Sequence, residues 1–234
     1  MIRFQDGQNR IEMPKLNIND GFRDIRPSGE ISKTEARDFW DDLFENPEKE
    51  QESLEANLIQ DVYGRNDEEF TFDIDLDSAD IRQALNEFQS EHWKELSNKE
   101  KTDTIEELSE EISKILNLSN APNIEYYEGN VSDCGCYDAH DNSIWINRNN
   151  FDDPQEIVDT IAHEMRHAYQ LERAMKLETY EDFLYAYNYA NYISPLLTED
   201  GYVNFTDYQD QLIEAEARAF AKLFVIKEED GTYE

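Results

Sequence analysis

The chain has 234 residues, with 55 acidic and 21 basic side chains and a formal net charge of −34. So acidic a surface repels phosphate backbones, which sets nucleic acid aside as a partner and leaves basic partners or substrate segments open. The opening residues Met1–Gln8 lack the apolar core of a signal peptide, and no apolar run reaches membrane-spanning length. The expectation is a cytoplasmic protein with no membrane partner, short of export by another route.

In chain order, residues 1–31 are polar and carry Pro14, Pro27 and Gly29, the composition of a tail or linker. Ser32 and Glu35 form a capping box ahead of Ala36, Phe39, Trp40, Leu43 and Phe44, which predicts an amphipathic helix. A second short helix is predicted over 52–63. Phe70, Phe72, Ile74 and Leu76 alternate with polar residues, the period-two pattern of a strand. Asp73, Asp75 and Asp77 resemble the start of a calcium loop. Ser78 and Ala84 stand where that loop needs a glycine and a bidentate glutamate, so no calcium site is expected. Two helices should follow, one carrying Ile81, Leu85, Phe88 and Trp93, the next starting near Ser97 and carrying Ile105, Leu108, Ile112 and Ile115. This divides the chain into a tail (1–31), a helix-and-strand extension (32–77) and a main domain (78–234).

Residues 123–128 read as a strand. Gly135–Tyr137 and Ser143–Asn147 flank Asp138-Ala139-His140-Asp141-Asn142, which predicts a hairpin with a polar turn. His140, in that turn, matches no metal spacing. Cys134 and Cys136 stand too close for an unstrained disulfide and lack a second pair for a metal site, so reduced thiols are expected.

A helix then begins with Asp153 as N-cap, Pro154 at its first position and Glu156 at its third. It carries His163-Glu164-Met165-Arg166-His167, an H-E-x-x-H run. Residues four apart share a helix face, so both imidazoles can reach one metal ion, with Glu164 beside them as general base. At about 100° per residue, Ile157, Val158, Ile161, Met165, Ala168 and Tyr169 make an apolar stripe. Asp159, Arg166, Gln170 and Arg173 make a polar stripe suited to solvent. A tyrosine-rich helix should occupy 180–192. A last helix is predicted from about Thr206 to Lys227, with Ile213, Ala217, Phe220, Ala221 and Phe224 facing the core. Catalytic zinc takes three protein ligands and a water. Glu214 and Glu216 flank this last stripe on opposite sides, and periodicity does not choose between them.

The H-E-x-x-H run followed by a glutamate-bearing helix resembles the gluzincin branch of the zincin metallopeptidases. The wording Glu214-Ala215-Glu216-Ala217-Arg218-Ala219-Phe220-Ala221 is similar to the small ImmA/IrrE-like metallopeptidases. The resemblance implies an α+β, zincin-like fold: a small, mostly antiparallel sheet beside two helices that present the ligands. It implies Zn²⁺ held by His163, His167 and Glu214, with Glu164 as the base and a protein or peptide as the substrate. It also implies that the strand Ile144-Trp145-Ile146 is a sheet edge on which substrate lies extended. A tyrosine phenol or Arg218 could steady the oxyanion. Two other readings stand beside this one: a non-enzymatic acidic module binding a basic partner, and a toxin or processing module of a phage- or secretion-related system.

Overall fold

The computed structural model describes residues 2–3, 57–195 except 77, 197–198, 201–202 and 204–224. The expected tail and the helix from Ser32 to Phe44 lie outside the described residues, apart from positions 2 and 3. The fold is mixed α and β, as the sequence implies. The described chain forms two compact units. One comprises Asp67–Tyr169 and the chain from Glu216, together with the first residues; the other comprises Gln170–Ala215 and the described residues before Asp67.

The first unit holds the sheet. Strand β1 is Ile2–Arg3, β2 Asn123–Tyr127, β3 Gly135–Asp138 and β4 Ser143–Asn147, in the order β1-β3-β4-β2. β3 and β4 form the expected hairpin, with Asn142 in the left-handed region (φ 54°) that asparagine tolerates. The expected antiparallel character does not hold. β2–β4 and β1–β3 pair in parallel, and only β3–β4 is antiparallel in this sheet. The reason is where β4 goes. Its Ser143, Ile144, Ile146 and Asn147 are all buried, whereas β2 alternates exposed and half-buried residues. The most buried strand takes the centre, between β2 and β3. The connection from β2 to β3 therefore spans a slot that β4 fills, and the two flanking strands run opposite ways. Asn147, fully buried, fastens that connection: its Nδ2 donates to the carbonyls of Asn130 and Asp133, and its Oδ1 accepts from the Gly129 N–H.

Three helices precede β2: α2 Ala79–Asn86, α3 Ser90–Glu95 and α4 Asn98–Ile115 (the label α1 is kept for residues 57–62, below). The single helix expected to carry Ile81 through Trp93 is broken at Glu87–Gln89. Phe88 is thereby stacked on Trp93 with centroids 4.8 Å apart, and both are buried. The Trp93 indole N–H donates to the Phe151 carbonyl at 2.6 Å, and the Lys101 ammonium donates to the same oxygen at 3.0 Å. The α4 start is the predicted one: Ser97 and Glu100 complete a capping box. The expected strand over 70–76 is absent. Phe72, Ile74 and Leu76 are half-buried while Thr71, Asp73 and Asp75 are exposed, without strand pairing. The alternation records which side meets the body of the protein, not a ladder. Phe72 meets Phe220 edge-on at 5.4 Å.

Helix α5 is Pro154–Lys176, opened by Asp153, whose Oδ1 accepts from the Glu156 N–H. It lies against β3. A Cβ on Gly135 would stand 2.7 Å from Thr160 Cγ2 and 2.6 Å from the Trp145 carbonyl, so only glycine fits there. One turn on, Glu164 accepts a hydrogen bond from the Tyr137 N–H at 2.8 Å. Two residues of strand match four residues of helix in length, about 6–7 Å each, so the contact repeats.

The second unit is built on α1 (residues 57–62), the end of α5, α6 Tyr180–Ala190, α7 Phe205–Gln209 and the start of α8 Leu212–Ala221. A two-stranded hairpin, β5 Leu197–Thr198 and β6 Gly201–Tyr202, belongs here too. The long helix expected from Thr206 is split at Asp210–Gln211. The buried Gln211 side chain spends its amide on the Ile193 and Tyr208 carbonyls and accepts from Asn188 Nδ2, and the Ile213 N–H donates to Asn188 Oδ1. Asp182, fully buried, caps α6 and takes both oxygens to Arg173 at 2.6 and 3.0 Å. No described helix is long and apolar enough to cross a membrane.

In the first unit, Asp67 receives Arg218 at 2.8 Å and Lys222 at 2.8 Å. Partial burial pushes its pKa up, but the hydrogen bonds and charges of Lys222 and Arg218 outweigh that and hold it below the ordinary 3.8. A depressed folded pKa gives stability that is present above the unfolded value and is lost as pH falls through the folded one. Urea titrations of Asp67→Asn against the parent should therefore show a gap that is constant near neutrality and closes as pH drops below 3.8.

Candidate metal centre

α5 is buried nearly all round. The apolar stripe is as expected, with Ile157, Val158, Ile161, Met165 and Ala168 buried. The stripe assigned to solvent is not: Arg166 and Gln170 are buried as well. Each has a partner that offsets the loss of water. The Arg166 guanidinium donates to Glu216 at 2.6 Å and sits over the rings of Tyr169 at 4.2 Å and Phe72 at 5.0 Å. The Gln170 amide donates to the Ile213 carbonyl at 3.0 Å.

His163 is half-buried and His167 fully buried. Their Nε2 atoms face each other at 3.1 Å, with the rings nearly perpendicular. Two nitrogens each 2.0–2.1 Å from one tetrahedral zinc lie about 3.3 Å apart, so the pair already stands at the spacing of two ligands on one ion. Among the described residues, His163, His167 and Glu214 each bring a ligand atom within 4.8 Å of the others. Two neutral imidazole nitrogens and a carboxylate oxygen make a donor set suited to zinc.

The two glutamates that periodicity left equivalent now differ. Glu216 faces Arg166, and Glu214 joins the imidazoles. Both are buried. Glu214 is further held by phenols that the sequence reading did not assign: Tyr192 donates to its Oε1 at 2.6 Å and Tyr208 to its Oε2 at 2.9 Å. Tyr192 belongs to the tyrosine-rich stretch that was noted. Tyr208 carries no sequence signal beyond lying a short way before Glu214. Such outer hydrogen bonds orient a ligating carboxylate.

Glu164 is buried, and burial alone would raise its pKa. Neighbouring charges outweigh burial and hold the carboxyl below its ordinary value, which favours the ionised form that can accept a proton.

One expectation falls at this point. β4 has partners on both sides, so Ile144, Trp145 and Ile146 offer no open edge for substrate, and Ile144 and Ile146 are fully buried. Arg218 is paired with Asp67. His140, which matched no metal spacing, is exposed in its turn and is not in the ligand group. Cys134 and Cys136 are thiols, as expected. Burial, with the nearby carboxylate of Glu156, pushes the Cys134 pKa up to about 12.

Comparison with family models, with curated proteins and with solved structures returned no match.

Proposed function

We propose that the protein is a zinc-dependent peptidase of the zincin type, with His163, His167 and Glu214 as the metal ligands and Glu164 as the general base. The convergence of these three donors from distant parts of the chain is the observation that carries this reading. His163 is the least buried of the three, and a catalytic zinc needs an open position where a closed structural site has none. A zinc ion held there supplies Lewis acidity, lowering the pKa of a bound water towards ~7 and polarising a peptide carbonyl.

The chain's own groups do the rest. Glu164, ionised and fixed by the Tyr137 N–H, takes the proton from the attacking water and returns it to the leaving amine. Tyr192 and Tyr208 each donate to Glu214 and fix its carboxylate. The Arg166–Glu216 pair fixes α5 from its other side.

Zinc titration with X-ray absorption tests this. One zinc per chain should bind through two imidazole nitrogens, one carboxylate and one exchangeable water. Hydrolysis of an unstructured peptide should vanish with a chelator and return with zinc. A fourth protein ligand in place of water would make the site structural and end the peptidase reading.

A further inference from the structure

β3 has two sides. One pairs with β4; the other is the outer edge of the hairpin. The Asn147 N–H donates to the Cys134 carbonyl, so the antiparallel alternation turns Cys136 to β4 and the Tyr137 N–H, which donates to Glu164, to the outer side, placing the carboxylate at the same edge. β1 lies there too, with Ile2 opposite Tyr137 and Arg3 opposite Asp138. Ile2 thus stands across from the very residue that holds the candidate base. An open strand edge next to a hydrolytic centre is a template for an extended peptide. Here the chain's own second and third residues have taken it.

We propose that β1 is a self-inhibitory strand, occupying the β3 edge that an extended peptide substrate must enter. This rests on the peptidase reading above. The pairing is suited to release. Among the described residues β1 spans two, and it runs parallel to β3, the orientation with the weaker ladder. A longer peptide entering antiparallel can replace it.

The test uses the full chain carrying Ile2→Pro and Arg3→Pro together. Two prolines remove both N–H groups, whichever of them donates to β3. A labelled synthetic peptide of residues 1–9 is then titrated against parent and variant by fluorescence anisotropy. It should bind the variant and not the parent. The zinc-loaded variant should cleave an unstructured fluorogenic peptide about tenfold faster than the parent, and the 1–9 peptide added in trans should reverse the gain. Equal binding to both proteins, or to neither, overturns the inference whatever the activity. Equal and measurable cleavage rates with matching circular dichroism and zinc content overturn it too. Binding to the variant alone, with no cleavage by either protein, keeps the edge assignment and defeats the peptidase reading.

Discussion

Glu164→Gln should bind zinc as the parent does and lose peptide hydrolysis by a factor of about 10²–10⁴, the range general-base catalysis contributes. The amide is nearly isosteric and keeps an oxygen that can accept from the Tyr137 N–H, so the helix–strand contact survives. Lost is the negative charge that takes the proton. Nothing in the ligand group changes, because His163, His167 and Glu214 supply the donors without it. Steady-state kinetics beside metal analysis separates the two quantities. A variant that cleaves as fast as the parent removes Glu164 from the mechanism.

Glu214→Ala and Glu216→Ala, two residues apart on one helix, should fail in opposite ways. Glu214→Ala removes a ligand, so zinc content should fall to trace levels. The fold should survive more readily, since Tyr192 and Tyr208 lose a partner but keep phenols that water can satisfy. Glu216→Ala leaves the ligand group intact and strips the partner from a buried guanidinium. Breaking one side of a buried pair costs about 3–5 kcal/mol, enough to threaten a domain whose whole stability is of order 10 kcal/mol. Zinc should still bind whatever protein remains folded. Metal content and urea midpoints on both variants check this. Loss of zinc with Glu216→Ala at full stability would reverse the assignment.

Much of the site could be read from the chain before any coordinates. The capped start of α5 and the one-turn spacing of His163 and His167 are local properties, and local chemistry survives folding. The choice between Glu214 and Glu216 was not local. It depends on Arg166, fifty positions away in the chain, which pairs with Glu216. Reading Arg166 and Gln170 as solvent-facing failed for the same reason: polarity predicts exposure only until a buried partner appears. The place of β4 failed differently. A hairpin shows from its turn, but which strand lies outside depends on a third strand, and β2 joined on the β4 side. Phe72, Ile74 and Leu76 show that an alternating pattern can mark a half-buried extended segment without a neighbour to bond to.

The burial of α5 on every side changes how its central pentapeptide should be understood. In the motif's usual notation the third and fourth letters are wildcards, open to any side chain. In this protein those letters are Met165, with no surface exposed, and Arg166, locked to Glu216. The positions that the notation leaves blank are themselves held in place, Met165 by shape and Arg166 by charge. Transplanting the five-letter word onto another helix would carry over the donors without the vice that aligns them.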